Sequence, residues 1–182
     1  MNATTQPTAI MALTQYVPRR WQRDHFDSNL LLAVKDRSPA AINHFVHRLA
    51  RWQSLPQGSV ICTVPSHLPS RVLPGIRQVA LRLCETGDWI DGTHCLVRVQ
   101  PVSRSLGGRK DRSIDRHLKS IEIRDRASIE GRSVLLLDDI STTGASLAAC
   151  EQVLLKAGAE VVFKRCIGRT CNDPEGDRDY GA

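Results

Sequence analysis

Four short apolar runs punctuate this chain, and between them apolar residues recur at helical spacing. Ser59–Val64 (SVICTV), His94–Val99 (HCLVRV), Val134–Leu137 (VLLL) and Glu160–Ile167 (EVVFKRCI) are short, dense in branched aliphatics and bounded by glycine or polar residues, which predicts strands. Ser38-Pro39 is a helix start, a capping hydroxyl followed by proline at the first helical position, and Ile42, Phe45, Val46 and Leu49 follow as a stripe. A second stripe runs through Val72, Leu73, Ile76, Val79, Ala80 and Leu83. Ala145–Ala157 predicts a third helix, closed by Gly158.

Strand and helix signals alternate, and the strands are nearly continuously apolar. That pattern predicts an α/β fold, a doubly wound and mostly parallel sheet with helices on both faces. Residues 1–20 carry little pattern, and residues 1–37 are expected to form a partly disordered N-terminal segment. Residues 38–170 hold the α/β domain, and 171–182 (CNDPEGDRDYGA) read as a mobile tail.

The chemistry concentrates in VLLLDDISTTGAS, Val134 to Ser146. In open α/β sheets ligands bind beyond the carboxyl ends of the strands, where Asp138 and Asp139 stand. Small hydroxyl residues and Gly144 then lead into the N-terminus of a helix, whose free amides and partial positive charge suit a phosphate. Ionised carboxylates accept hydrogen bonds from hydroxyls and attract hydrated Mg²⁺. A ribose 5-phosphate would satisfy both halves; a solvated strand end followed by a helix cap would also write two acids here. Rival motifs are incomplete: GxxxxGK[ST] and a GxGxxG before a helix are missing, and DDIST lacks the second acid of DxDx[TV].

Composition narrows the class. The 182 residues suit one domain, with 41% hydrophobic and 24% charged residues but only 4% aromatic, so the core should be aliphatic. No apolar run is long enough for a membrane helix, and the N-terminus lacks a secretory signal pattern, so a cytoplasmic protein with no membrane partner is expected. No two of the six cysteines have CxxC spacing, which argues against a structural zinc site, and Cys62, Cys150 and Cys166 read as buried reduced thiols. His25, His44, His47, His94 and His117 show no metal-binding spacing and read as surface or packing residues. The net charge of +6 is local: Arg98 to Arg132 holds ten basic and five acidic residues, a surplus of five.

VLLLDDISTTGAS closely resembles the phosphoribosyl pyrophosphate (PRPP) motif of type I phosphoribosyltransferases. With VPSHLPSR (Val64–Arg71) after an early strand and a basic segment before GRSVLLLDD, the chain is most similar to the ComF-like branch of that family. The resemblance runs over about Leu31 to Arg169, most strongly at 132–158. It implies a small variable N-terminal hood and PRPP as substrate. Asp138 and Asp139 would be the catalytic pair at the ribose hydroxyls, with Mg²⁺ held indirectly through water or those hydroxyls. Thr142, Thr143, Gly144, Ala145 and Ser146 would take the 5-phosphate. Ser66, His67 and Arg71 would contact pyrophosphate, and Arg104, Arg109, Lys110 and Arg112 would belong to a flexible loop closing over the site.

The implied reaction displaces pyrophosphate at ribose C1 by a nitrogenous acceptor. Three departures qualify it. Thr142 stands where purine-salvage members usually carry an Asp, which argues against hypoxanthine or guanine as acceptor. The four-cysteine zinc segment common at the start of ComF-like proteins has no counterpart before Cys62. No cysteine follows Met1, which disfavours a glutamine-using amidotransferase. The alternative reading is a non-catalytic module that senses PRPP or a nucleotide and works with nucleic acid, which the basic surplus would favour. A homodimer is compatible with either.

Overall fold

A computed structural model describes residues 8–18, 21, 25–52, 55–69, 74–101 and 114–171. Arg71, Arg104, Arg109, Lys110 and Arg112 lie outside the described residues, as does the tail beyond Cys171.

The chain runs β1 (Met11–Tyr16), α1 (Phe26–Lys35), α2 (Pro39–Trp52), β2 (Val60–Thr63), α3 (Gly75–Thr86), β3 (Ile90–Asp91), β4 (Leu96–Arg98), α4 (Ile114–Leu118), β5 (Ile121–Ile123), β6 (Ser133–Ser141), α5 (Ala145–Lys156) and β7 (Val161–Thr170). Five strands form a parallel sheet in the order β1-β7-β6-β2-β3. Strand alternation divides its side chains between two cores. On one face Val60, Cys62, Val134, Leu136, Val162 and Cys166 pack with Leu147, Cys150 and Leu154 of α5. On the other, Ile61, Leu135, Leu137 and Ile167 meet Leu31 and Val34 of α1, Ile42, Phe45 and Leu49 of α2, and Val79 and Leu83 of α3. This is the doubly wound α/β architecture that the apolar runs predict.

Four features differ from the sequence expectation. Residues 11–16, patternless by eye, form the edge strand β1, parallel to β7 from Met11↔Arg165 to Tyr16↔Thr170. Cys171, assigned to the tail, is buried, and its amide donates to Tyr16 O at 2.9 Å. The HCLVRV run does not join the main sheet: β4 pairs antiparallel with β5 in a separate two-stranded ribbon. α3 starts at Gly75, after Pro74 as its N-cap, rather than at Val72. There a Cβ on Gly75 would lie 1.8 Å from Val34 O, so glycine lets α3 press against the backbone of α1.

Polar contacts fasten the N-terminal elements to this frame. Asp27 in α1 accepts from Thr14 of β1 and from Arg48 of α2 at 3.2 Å, and these donors together hold its pKa down against the opposing effect of burial. On the α5 face, Lys164 of β7 and Glu151 of α5 form a buried ion pair, and Thr8 also donates to Glu151. Among the described residues no helix is long and apolar enough to cross a membrane.

Candidate functional site

β6 delivers the acid pair. Val134–Leu137 is buried and paired on both sides, with Leu137 opposite Thr63 of β2 and Arg165 of β7. The strand emerges at Asp138 and Asp139, which are partly exposed. Each carboxylate folds back on the main chain: Asp138 Oδ1 accepts from the Asp139 amide at 2.9 Å, and Asp139 Oδ1 from the Ile140 amide at 2.6 Å.

The two acids have different surroundings. Asp138 continues the parity of Val134 and Leu136 and acts electrostatically on Cys150, Cys166 and Arg98. Burial lifts its pKa to about 8, the neighbouring charge of Asp139 adds to the rise, and the Asp139 amide, Lys35 and Arg98 oppose it. Asp139 follows Leu135 and Leu137 toward the helical layer, where the ammonium of Lys35, the last residue of α1, lies 3.5 Å from its carboxylate.

The segment 142–144 then turns the chain into α5. Gly144 is the N-cap at φ 79°, a left-handed conformation that favours glycine, and it carries no side chain to cap the helix. The Ala145 amide donates to Thr143 Oγ1 at 3.4 Å, while the Thr142 hydroxyl shares a hydrogen bond with Thr170 at 2.9 Å. Thr142 and Thr143 are exposed; Gly144, Ala145 and Ser146 are half-buried. Ser146 Oγ lies 3.5 and 3.4 Å from the two ring nitrogens of His117. Burial, reinforced by the like charges of Arg98 and Arg116, pushes the His117 pKa down and favours a neutral ring.

Ser66 and His67 reach the same end of the sheet because β2 runs parallel to β6, the Val64 amide donating to Leu137 O at 2.9 Å. Buried Arg98 of β4 fixes this exit: its Nε donates to Ser66 O at 2.8 Å, one Nη to Pro65 O at 3.2 Å and the other to Ser120 Oγ. Ser66 also lines a cleft of about 380 Å³ with Pro74, Arg77, Thr93, His94, Arg98 and Arg124.

The fold therefore brings Asp138, Asp139, Thr142, Thr143, Gly144, Ala145, Ser146, Ser66 and His67 to one end of the sheet. Lys35, Arg98 and His117 join them without having been singled out from the sequence. Arg98 alone left a trace, as a cation inside the apolar run LVRV. The acid pair suits a divalent cation by donor chemistry: Mg²⁺ prefers hard oxygens and binds through one or two carboxylates together with water and substrate phosphates.

No family model matches the chain. It is 34% identical over 59 residues to the adenine phosphoribosyltransferase of Rhodospirillum rubrum, a match spanning 32% of this chain but only 34% of that protein. It is 26% identical over 177 residues to the DNA utilization protein YhgH of Escherichia coli, covering 84% of this chain and 74% of that one. The solved adenine phosphoribosyltransferase of Thermoanaerobacter pseudethanolicus superposes with a TM-score of 0.46 at 14% identity, over 75% of this chain and 84% of that chain. The resemblance read from the PRPP motif thus recurs in sequence comparison.

Proposed function

We propose that this chain is a PRPP-binding phosphoribosyltransferase that joins a nitrogenous acceptor to ribose C1 with release of pyrophosphate. The carrying observation is the β6–turn–α5 unit, in which two carboxylates at a strand end lead directly into a glycine-capped helix N-terminus. Carboxylates suit the ribose hydroxyls, and the amides and hydroxyls of 142–146 suit a 5-phosphate. Mg²⁺, when bound with substrate, would neutralise pyrophosphate charge.

The residues divide the work by chemistry. Asp138 and Asp139 hold the ribose and favour, by their charge, the cationic character that develops on the ring as the C1 bond breaks. Lys35 holds Asp139 in place through their ion pair. Ser66 and His67 offer donors to pyrophosphate from a loop that Arg98 holds in place, and Arg71 would add a charge there. Arg104, Arg109, Lys110 and Arg112 would close over the leaving group and exclude water. The acceptor would be read by the N-terminal 50 residues, whose described part is built into the main sheet and its helical layer rather than a separate hood, together with the C-terminal end, and the site would work in the cytoplasm.

A second reading follows from the similarity to a DNA utilization protein along most of the chain: the same site binds PRPP without turnover and signals to a nucleic-acid partner. Isothermal titration with PRPP and Mg²⁺ tests what the readings share. Micromolar-range binding by the wild type, abolished in Asp138→Asn/Asp139→Asn, is the expected result. Failure of folded wild-type protein to bind would overturn both. Pyrophosphate release on adding candidate bases and amines then separates transferase from sensor.

A further inference from the structure

We infer that His94, Cys95 and Asp125 form a binding site for a zinc-class divalent ion at the base of the β4–β5 ribbon, separate from the acid pair. One ligand atom from each residue lies within 4.8 Å of the other two. His94 Nε2 and Asp125 Oδ2 are 3.4 Å apart. Two ligands bound tetrahedrally at about 2.05 Å from zinc are separated by about 3.3 Å, so this edge already has the required length. The sulfur lies within the same 4.8 Å, against the roughly 3.6 Å that a tetrahedral zinc sets between S and N or O ligands, so closing the triad needs a shift of at most about 1.2 Å.

The donor set selects the ion. A nitrogen, a sulfur and an oxygen together suit zinc and its borderline-soft neighbours, whereas Mg²⁺ and Ca²⁺ require oxygen. Three protein ligands leave a fourth position, and it can face solvent because His94 is exposed.

The surroundings orient the ligands. Ser128 donates to both oxygens of Asp125, from its amide at 3.2 Å and from its hydroxyl at 2.5 Å, an outer contact of the kind that holds a metal-binding carboxylate. Cys62 hydrogen-bonds the Cys95 sulfur from the sheet side, and the charge of Asp91 acts on Cys95 beside that of Asp125. The adjacent Arg124 opposes a cation, but it is exposed and its side chain can extend into solvent.

The site has a structural consequence. His94 and Cys95 immediately precede β4, Asp125 follows β5, and the Arg124 amide donates to Cys95 O at 2.8 Å between them. A bound ion would clamp the open end of the ribbon whose strands carry Arg98 and flank the basic segment. It would also stand at the rim of the Ser66–Arg98 cleft, which His94 lines.

Titrating metal-free, full-length protein with Co²⁺ tests this directly. The expected result is a thiolate-to-cobalt charge-transfer band and tetrahedral d–d absorption saturating at one equivalent and reversed by Zn²⁺. Cys95→Ser should abolish the charge-transfer band, and His94→Ala and Asp125→Asn should each weaken affinity about tenfold or more. Cys62→Ser and Asp138→Asn should retain the spectrum, so the outcome is independent of the transferase reading. A missing charge-transfer band, or one persisting in Cys95→Ser, would overturn the proposal. So would unchanged affinity in His94→Ala, a surface substitution that does not endanger the fold; the triad would then be an ordinary His–Asp pair beside a buried thiol.

Discussion

Replacing Asp138 with Asn should stabilise the fold while weakening PRPP binding. In the folded chain the Asp138 carboxyl titrates near 8, against about 3.8 for an ordinary aspartate. Between those pH values the folded state binds a proton that the unfolded state has released, so this residue makes the wild type progressively less stable as pH rises from about 4 to about 8. At about 1.4 kcal/mol per pH unit the gap sets an upper bound of about 6 kcal/mol. Asp138 is partly exposed and solvent at the strand end screens its charge, so about 2 kcal/mol is expected. Asparagine removes the charge and keeps an oxygen to accept the Asp139 amide. Urea unfolding at pH 8.5 should therefore find Asp138→Asn more stable by about 2 kcal/mol, about 4–8 °C in Tm for a domain of this size, with the difference shrinking toward pH 5. PRPP affinity at pH 8 should fall in the same variant. A variant no more stable than wild type at pH 8.5, or stabilised equally at pH 5, would refute the assignment of buried charge to Asp138.

Arg98→Met should cost about 3 kcal/mol, because the carbonyls of Pro65 and Ser66 and the Ser120 hydroxyl lose a charged donor; thermal melts measure the loss, and titration should show weaker PRPP binding as the loop is released. Lys164→Met should destabilise by about 3–5 kcal/mol by leaving Glu151 charged and buried. Lys164→Met/Glu151→Gln should recover part of that in urea unfolding, and no recovery would mean the packing of α5 on β7, not the ion pair, carried the effect.

What could be read from the sequence follows from where its information is local. The motif Val134–Ser146 is contiguous: strand, acid pair, turn and helix start are all written in one stretch, so its placement could be anticipated residue by residue. The ribbon could not, since Leu96–Arg98 and Ile121–Ile123 are three residues each, too short for alternation to declare itself, and they lie far apart in the sequence. β1 escaped because an edge strand needs only one partner and half-buried side chains, so its MALTQY carries a weak apolar signal.

The acid pair shows the same limit at the finest scale. Read along the chain, Asp138 and Asp139 are equivalent. Strand alternation sends one toward the α5 core and the Arg98 side, the other toward Lys35 at the end of α1. Neither Lys35 nor Arg98 is near them in sequence, yet Lys35 pairs with Asp139, and both cations oppose the rise that burial gives the Asp138 pKa. Asp139, paired with Lys35 and partly exposed, is suited to hold a hydroxyl or a hydrated cation before substrate arrives. Asp138, protonated over much of the neutral range, needs a cation or substrate charge to ionise fully. Binding of a Mg–PRPP complex should therefore release a proton from Asp138 near pH 7, and the binding enthalpy should change with buffer ionisation enthalpy in the wild type but much less in Asp138→Asn. Buffer-independent enthalpies in both would mean that Asp138 is already charged, and the asymmetry between the two acids would have no part in binding.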